Sequence, residues 1–124
     1  FGTGGASKAV AKVLDDLFIQ YQIVTRKKDA FLNYENLSAE IISNHKLLIN
    51  TTPLGTFPNI EEYINFDFGA LTEKHYCFDL VYNPEETMFL KKSKFEGASI
   101  KNGLEMLYLQ ADKSWQIWNS QATN

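Results

Sequence analysis

Six residues near the start, Gly2-Thr-Gly-Gly-Ala-Ser7, constrain the fold more than any other stretch. Behind them Ala9, Val10, Val13, Leu14 and Leu17 recur at three- and four-residue steps, which predicts a helix over residues 7–17. A glycine-rich turn that opens a helix leaves bare backbone N–H groups at a helix N-terminus. That is a ready site for a dinucleotide pyrophosphate. In this reading Gly2 permits the tight turn, Gly4 lets phosphates approach the backbone, and Ser7 fills the close-packing position. Such a turn needs a strand to feed it, and only Phe1 precedes Gly2. The expectation is a fold whose first strand is truncated at the N-terminus, with further sequence upstream.

Composition bounds the class. A chain of 124 residues is expected to form one domain, over residues 1–124. A hydrophobic content of 44% with 22% charged residues fits a folded domain rather than a disordered chain. The net charge of −3 disfavours a general nucleic-acid or anionic-membrane surface. Cys77 is alone and cannot close an internal disulfide. No leader or long apolar span is present, so a reducing cytoplasm is the expected compartment.

Apolar runs and turn signals alternate along the chain. Short strands are predicted over residues 23–25 and 31–34, and a brief helix over 38–44 with Ser38 as N-cap. A buried strand follows over 46–50 and ends in the turn-rich loop 51–59. Residues 76–81 make the clearest strand, followed by the turn 82–84, a helix over 86–96 stopped by Gly97, a last strand over 98–101 and a terminal helix over 103–119. This alternation predicts an α/β fold, Rossmann-like and doubly wound, with a mostly parallel sheet and helices on both faces. One connection is irregular. Only residues 26–30 separate the first two predicted strands, too few for a helical crossover, so a loop crossover with weak pairing is expected there.

In dinucleotide folds the residue ending the second strand reads the ribose: an acid for NAD, an arginine or a tolerant neighbour for a 2′-phosphate. Here Thr25-Arg26-Lys27-Lys28 occupies that place, with Asp29 beyond. Such a run is either a solvated surface loop or a phosphate cradle, for which the Arg26 fork is best suited. Coupled to the glycine turn it favours NADP over NAD.

Three later segments, Asn50-Thr-Thr-Pro-Leu-Gly55, Asp79-Leu-Val-Tyr-Asn-Pro84 and Asn102-Gly-Leu-Glu-Met-Leu107 with Gln110, complete a pattern that includes Gly2 to Ser7 and Arg26. Together they resemble the nucleotide-binding domain of shikimate dehydrogenase, in order and across essentially the whole chain. The resemblance implies an NADPH-dependent enzyme that reduces 3-dehydroshikimate to shikimate in aromatic amino-acid biosynthesis. It places the phosphate-binding turn on Gly2, Thr3, Gly4, Gly5 and Ala6, and the 2′-phosphate segment on Thr25 to Ala30, with Arg26 foremost beside Thr25 and Lys27. Thr51, Thr52 and Pro53 match the loop beside the cofactor, and Leu80 and Gly103 match the backbone lining of the nicotinamide pocket. Tyr82 and Gln110 fall where the family contacts substrate. The family's usual Asn-Arg-Thr is Thr25-Arg26-Lys27 here, and its common Met is Leu80. The resemblance also implies a separate N-terminal domain carrying a lysine–aspartate pair for proton transfer, which nothing in this chain matches. No catalytic residue and no metal ligand is therefore assigned here, and the chain alone is expected to be inactive. A quinate-accepting or NAD-using relative, and a non-catalytic nucleotide-sensing module, are the alternatives.

The remaining chemistry-bearing residues have plainer expectations. His45 and His75 are read as surface or helix-end groups, and Cys77 as a small core residue. Asp79 is either a ligand-facing residue at a strand end or a capping group. Without the family pattern Tyr82 reads as a packing aromatic and Gln110 as a solvated helical residue. Phe66, Phe68, Trp115 and Trp118 are expected in the core or at a domain contact.

Overall fold

The computed structural model describes residues 1–122 of the chain. Its regular sheet has three parallel strands, β1 (Leu47–Asn50), β2 (Tyr76–Asp79) and β3 (Ser99–Lys101), in that spatial order. Leu48 lies opposite Cys77, Asn50 opposite Asp79, and Cys77 opposite Ile100. Along β1 and β2 burial alternates: Leu48, Asn50, Cys77 and Asp79 are buried on one face, while Leu47 and Tyr76 on the other are exposed.

Among the described residues there are four α-helices, α1 (Gly5–Asp16), α2 (Ala39–Asn44), α3 (Met88–Phe95) and α4 (Leu104–Ala122). Ser38 and Thr87 cap α2 and α3 by accepting from the amides of Ile41 and Leu90, both at 3.3 Å. Phe89, Leu90 and Ser93 bury one face of α3, which packs on β2 and β3. Val10, Ala11 and Leu14 of α1 face Leu47 and Ile49 across a crevice of about 120 Å³ on the opposite face. The core unites Leu48, Cys77, Phe89 and Leu90 with Ile64, Phe66 and Leu71 from the long β1–β2 connection.

Two predicted strands are corrected. Residues 23–25 and 31–34 form no regular strand; they meet in one parallel bridge, Thr25 to Asn33. The reason lies beside them. The Phe1 nitrogen donates to the Ile49 carbonyl at 2.8 Å and its carbonyl accepts from the Thr51 amide at 2.9 Å. Gly2 then donates to the Val24 carbonyl at 2.9 Å. Phe1 and Gly2 thus occupy a strand position between residue 24 and β1. Two residues offer too few rungs to order a neighbouring ladder. In chain order the six positions across the sheet run 3-2-1-4-5-6, the doubly wound arrangement. The short 26–30 link is a loop crossover, as expected. Among the described residues no helix is long and apolar enough to cross a membrane.

Candidate functional site

Every segment that follows a strand position opens on the carboxyl edge of the sheet, where open α/β folds place ligands. Two concavities lie there. The first, of about 410 Å³, is lined by residues 2–4, by Thr25, Arg26, Lys27 and Tyr34, and by residues 51–54. The second, also about 410 Å³, is lined by residues 51–53, Thr56 and residues 80–83. Thr51, Thr52 and Pro53 form a wall common to both.

The glycine turn is built for close approach. Gly2 has φ +113°, in the region that only glycine enters readily, and a Cβ there would overlap the Thr51 hydroxyl. That hydroxyl donates to the Phe1 carbonyl at 2.5 Å, pinning the turn to the shared wall. Gly4 is the extended N-cap of α1 and gives it no side-chain cap, so no side chain competes for the first-turn amides. A Cβ at Gly4 or Gly5 would meet nothing within 4 Å. Their bare backbone therefore faces open space. Ser7 is the buried residue of α1, in the close-packing role.

The ribose-end loop is organised by Asn33, which the sequence reading missed. Its buried amide donates to the carbonyls of Lys28 at 3.2 Å and Ala30 at 3.4 Å. Its oxygen accepts from the amides of Glu35 at 2.9 Å and Asn36 at 3.1 Å. The loop is wound around this side chain, presenting Arg26 and Lys27 to the first cleft. Thr25 is buried, and its hydroxyl accepts from the Lys27 amide at 3.3 Å. Tyr34 closes the same wall; burial pushes its phenol up while the nearby Arg26 charge pulls it down. Lys28 turns away to pair with exposed Glu35 at 3.0 Å. Among the described residues Arg26 and Lys27 form no ion pair, so a polyanion would meet them without displacing a carboxylate.

Asp79 proves to be a capping group rather than a ligand-facing one. It is fully buried. One carboxylate oxygen accepts from Asn50 Nδ2 at 3.1 Å and the Val81 amide at 3.0 Å, the other from the Thr87 hydroxyl at 2.7 Å. Asn50 Oδ1 in turn accepts from the Thr52 amide at 2.9 Å and the Thr52 hydroxyl at 2.6 Å. Burial pushes the Asp79 carboxyl above its ordinary range, partly offset by its hydrogen bonds from Thr87, Val81 and Asn50. A raised native pKa means the folded state holds this proton more firmly than the unfolded chain. The associated stability is complete below the unfolded carboxyl value and is lost as pH rises through the native one. Asp79→Asn is therefore expected to flatten the stability curve on the alkaline side of the ordinary carboxyl value of about 4. Urea unfolding across that range checks it; an unchanged slope contradicts it.

Of the remaining predicted positions, Gly5 and Ala6 sit in the first turn of α1. Leu80 and Tyr82 line the second cleft. Gly103 lies against the Leu80 backbone, where a Cβ would overlap the Leu80 carbonyl. Gln110 lies exposed on α4 and lines neither cleft. His75 is corrected from a surface group to a buried one. Its Nδ1 accepts from the Thr72 amide at 3.0 Å and its Nε2 contacts the Ile42 carbonyl at 2.9 Å. His45 is a helix-end group, with Nδ1 2.7 Å from the Ile41 carbonyl. Cys77 is buried in the core, and Phe66 stacks with Phe1 and Phe68 there. Trp115 and Trp118 are 64% and 66% exposed, so the core reading fails for them. Among the described residues no group of three or more His, Cys, Asp or Glu is placed to hold a metal ion.

No family model matches the chain. Individual proteins do. The chain is 40% identical over 129 residues to a shikimate dehydrogenase (NADP(+)) of Clostridium beijerinckii, covering 94% of this chain and 46% of that protein. The corresponding protein of Methanococcus aeolicus is 32% identical over 131 residues, with 94% and 47% covered. Among solved structures, a chorismate mutase/shikimate 5-dehydrogenase fusion protein from Clostridium acetobutylicum superposes with a TM-score of 0.80 at 36% identity. That superposition covers 96% of this chain and 46% of the other. The chain spans about half the length of the curated relatives it matches. In both sequence and fold, nearly the whole chain thus matches one half of proteins of the shikimate dehydrogenase family.

Proposed function

We propose that the chain is the NADP-binding half of a shikimate dehydrogenase. The whole protein would catalyse the reversible NADPH-dependent reduction of 3-dehydroshikimate to shikimate, in cytoplasmic aromatic amino-acid biosynthesis. One observation carries this reading: the two clefts share the wall of residues 51–53, with the glycine turn and the Arg26–Lys27 pair on one side and Leu80 and Tyr82 on the other. An extended dinucleotide laid over that wall spans both clefts. Amides of residues 3–6 take its pyrophosphate, and Thr25, Arg26 and Lys27 take the adenosine 2′-phosphate. Thr51 flanks the bridge. The backbone of Leu80, held by Gly103, lines the nicotinamide end. Tyr82, 46% exposed at the rim, and Gln110 are assigned to substrate.

When bound, NADPH supplies the hydride. This chain's residues bind and orient. Asp79, next in sequence to the second cleft's Leu80, has both carboxylate oxygens engaged in buried hydrogen bonds and is assigned no proton transfer. The acid–base pair, a lysine and an aspartate, is assigned to an N-terminal domain. The open face of α4, with Trp115, Trp118 and Tyr108 exposed, is assigned to contact with that domain.

A dehydrogenase assay tests the division of labour. Residues 1–124 alone are expected to show no NADP-dependent shikimate oxidation, whereas the protein with its N-terminal domain is expected to turn over. Turnover by residues 1–124 alone overturns the placement of the acid–base pair. A full-length protein inactive toward shikimate overturns the function. Tryptophan emission of the chain should also shift to shorter wavelength when the N-terminal domain is added; unchanged emission sinks the α4 contact.

A further inference from the structure

We propose that Asp79 is a positioning residue for the coenzyme, holding the shared wall and the nicotinamide-side loop in fixed relation. The inference rests on the functional reading above and adds a residue that reading does not use. The register of β1 and β2 places Asn50 directly opposite Asp79 at the carboxyl edge. Each of these side chains bonds a backbone amide two residues ahead: Asn50 takes that of Thr52 and Asp79 that of Val81. Each strand end is thereby turned by its own side chain. The bond from Asn50 Nδ2 to Asp79 Oδ1 at 3.1 Å ties the two turns together.

The second Asp79 oxygen extends the tie to the helix below. Thr87 donates to it at 2.7 Å while its own oxygen caps α3 by accepting from Leu90. Asn50, Asp79 and Thr87 are each 0% exposed, so water does not compete for these bonds. Neither Asp79 nor Thr87 lines either cleft. Their effect on a bound dinucleotide must pass through Thr52 and Val81, which do. Geometry, more than charge, is what Asp79 supplies. An asparagine at 79 retains an acceptor for the Asn50 and Val81 donors, whereas alanine retains none.

Calorimetric titration of the full-length protein with NADP tests this, with thermal unfolding measured on the same samples. Asp79→Ala should weaken NADP binding about tenfold in protein that remains folded, and Asp79→Asn should restore it to within about threefold of wild type. Thr87→Val should weaken binding measurably although it touches neither cleft, and Thr87→Ser should not. If Asp79→Ala does not fold, the Thr87 pair decides. Variants that unfold at lower temperature yet bind NADP as tightly as wild type would show a purely structural anchor and overturn the inference alone. A wild-type protein that retains no NADP overturns the functional reading, and this inference with it.

Discussion

Replacing Arg26 with glutamine in the full-length protein is expected to weaken NADP binding by about 2 kcal/mol, or roughly thirtyfold, and to leave NAD binding nearly unchanged. The loop around Asn33 fixes the main chain, so the substitution removes a charge without removing the cleft. A guanidinium on a phosphate makes charge-assisted, forked bonds that a neutral amide cannot reproduce. Lys27 remains on the same wall, so the loss stops short of abolition. Competition titrations with both dinucleotides measure the effect. Equal losses for NADP and NAD would mean that Arg26 shapes the loop and does not read the 2′-phosphate.

Gly103→Ala is expected to be the most damaging single methyl group in the chain. A Cβ there would overlap both the carbonyl oxygen and the carbonyl carbon of Leu80. Neither partner can step aside at low cost. The Gly103 amide donates to the Val81 carbonyl at 3.1 Å, and its carbonyl accepts from Leu107 at 3.0 Å to start α4. Leu80 in turn donates to the Asn50 carbonyl at 3.1 Å. Relief therefore means separating α4 from the nicotinamide-side loop or breaking the end of β2. A loss of about 3 kcal/mol follows, with a fall in Tm of roughly 10 °C in the domain. Coenzyme binding should fall with it, because the displaced backbone lines the second cleft. A variant with wild-type Tm would show that the contact opens freely and that Gly103 has no packing role.

The legible part of the fold is the part fixed by local pattern. Residues 47–50 and 76–79 read as strands because each is a short, mostly apolar run bounded by turn signals, although only alternate residues are fully buried. Ser38 announces α2 by its capping chemistry, and Gly97, at φ +93°, ends α3 as a helix-stopping glycine should. Residues 23–25 look equally like a strand, since Ile23, Val24 and Thr25 are all β-branched. Propensity does not supply a long partner, however: on one side this segment meets only the two-residue Phe1–Gly2 stretch, and on the other Thr25 meets the loop at Leu32 and Asn33. The outcome is one bridge instead of a ladder.

The candidate site divides in the same way. Gly2, Gly4 and Arg26 stand out by residue type, because a loop that approaches a phosphate leaves such a mark, whereas residues 51–53 and Leu80 are reached only through the family resemblance. Gln110 was not placeable, since its position depends on the direction in which α4 leaves Gly103. The Asn50–Asp79–Thr87 tie depends on strand register, which no spacing along the chain encodes. His75 was misread for a related reason. Its burial follows from the docking of the α2 carbonyl of Ile42 over the Thr72–His75 turn, a contact across 33 positions in sequence.

A crystal structure of the full-length protein with NADP bound tests the central claim most directly. The pyrophosphate should lie on the amides that follow Gly2, the 2′-phosphate against Arg26, and the nicotinamide beside Leu80 across the wall of residues 51–53. A coenzyme seated away from the carboxyl edge of the sheet, or with its adenosine end remote from Arg26, would contradict it.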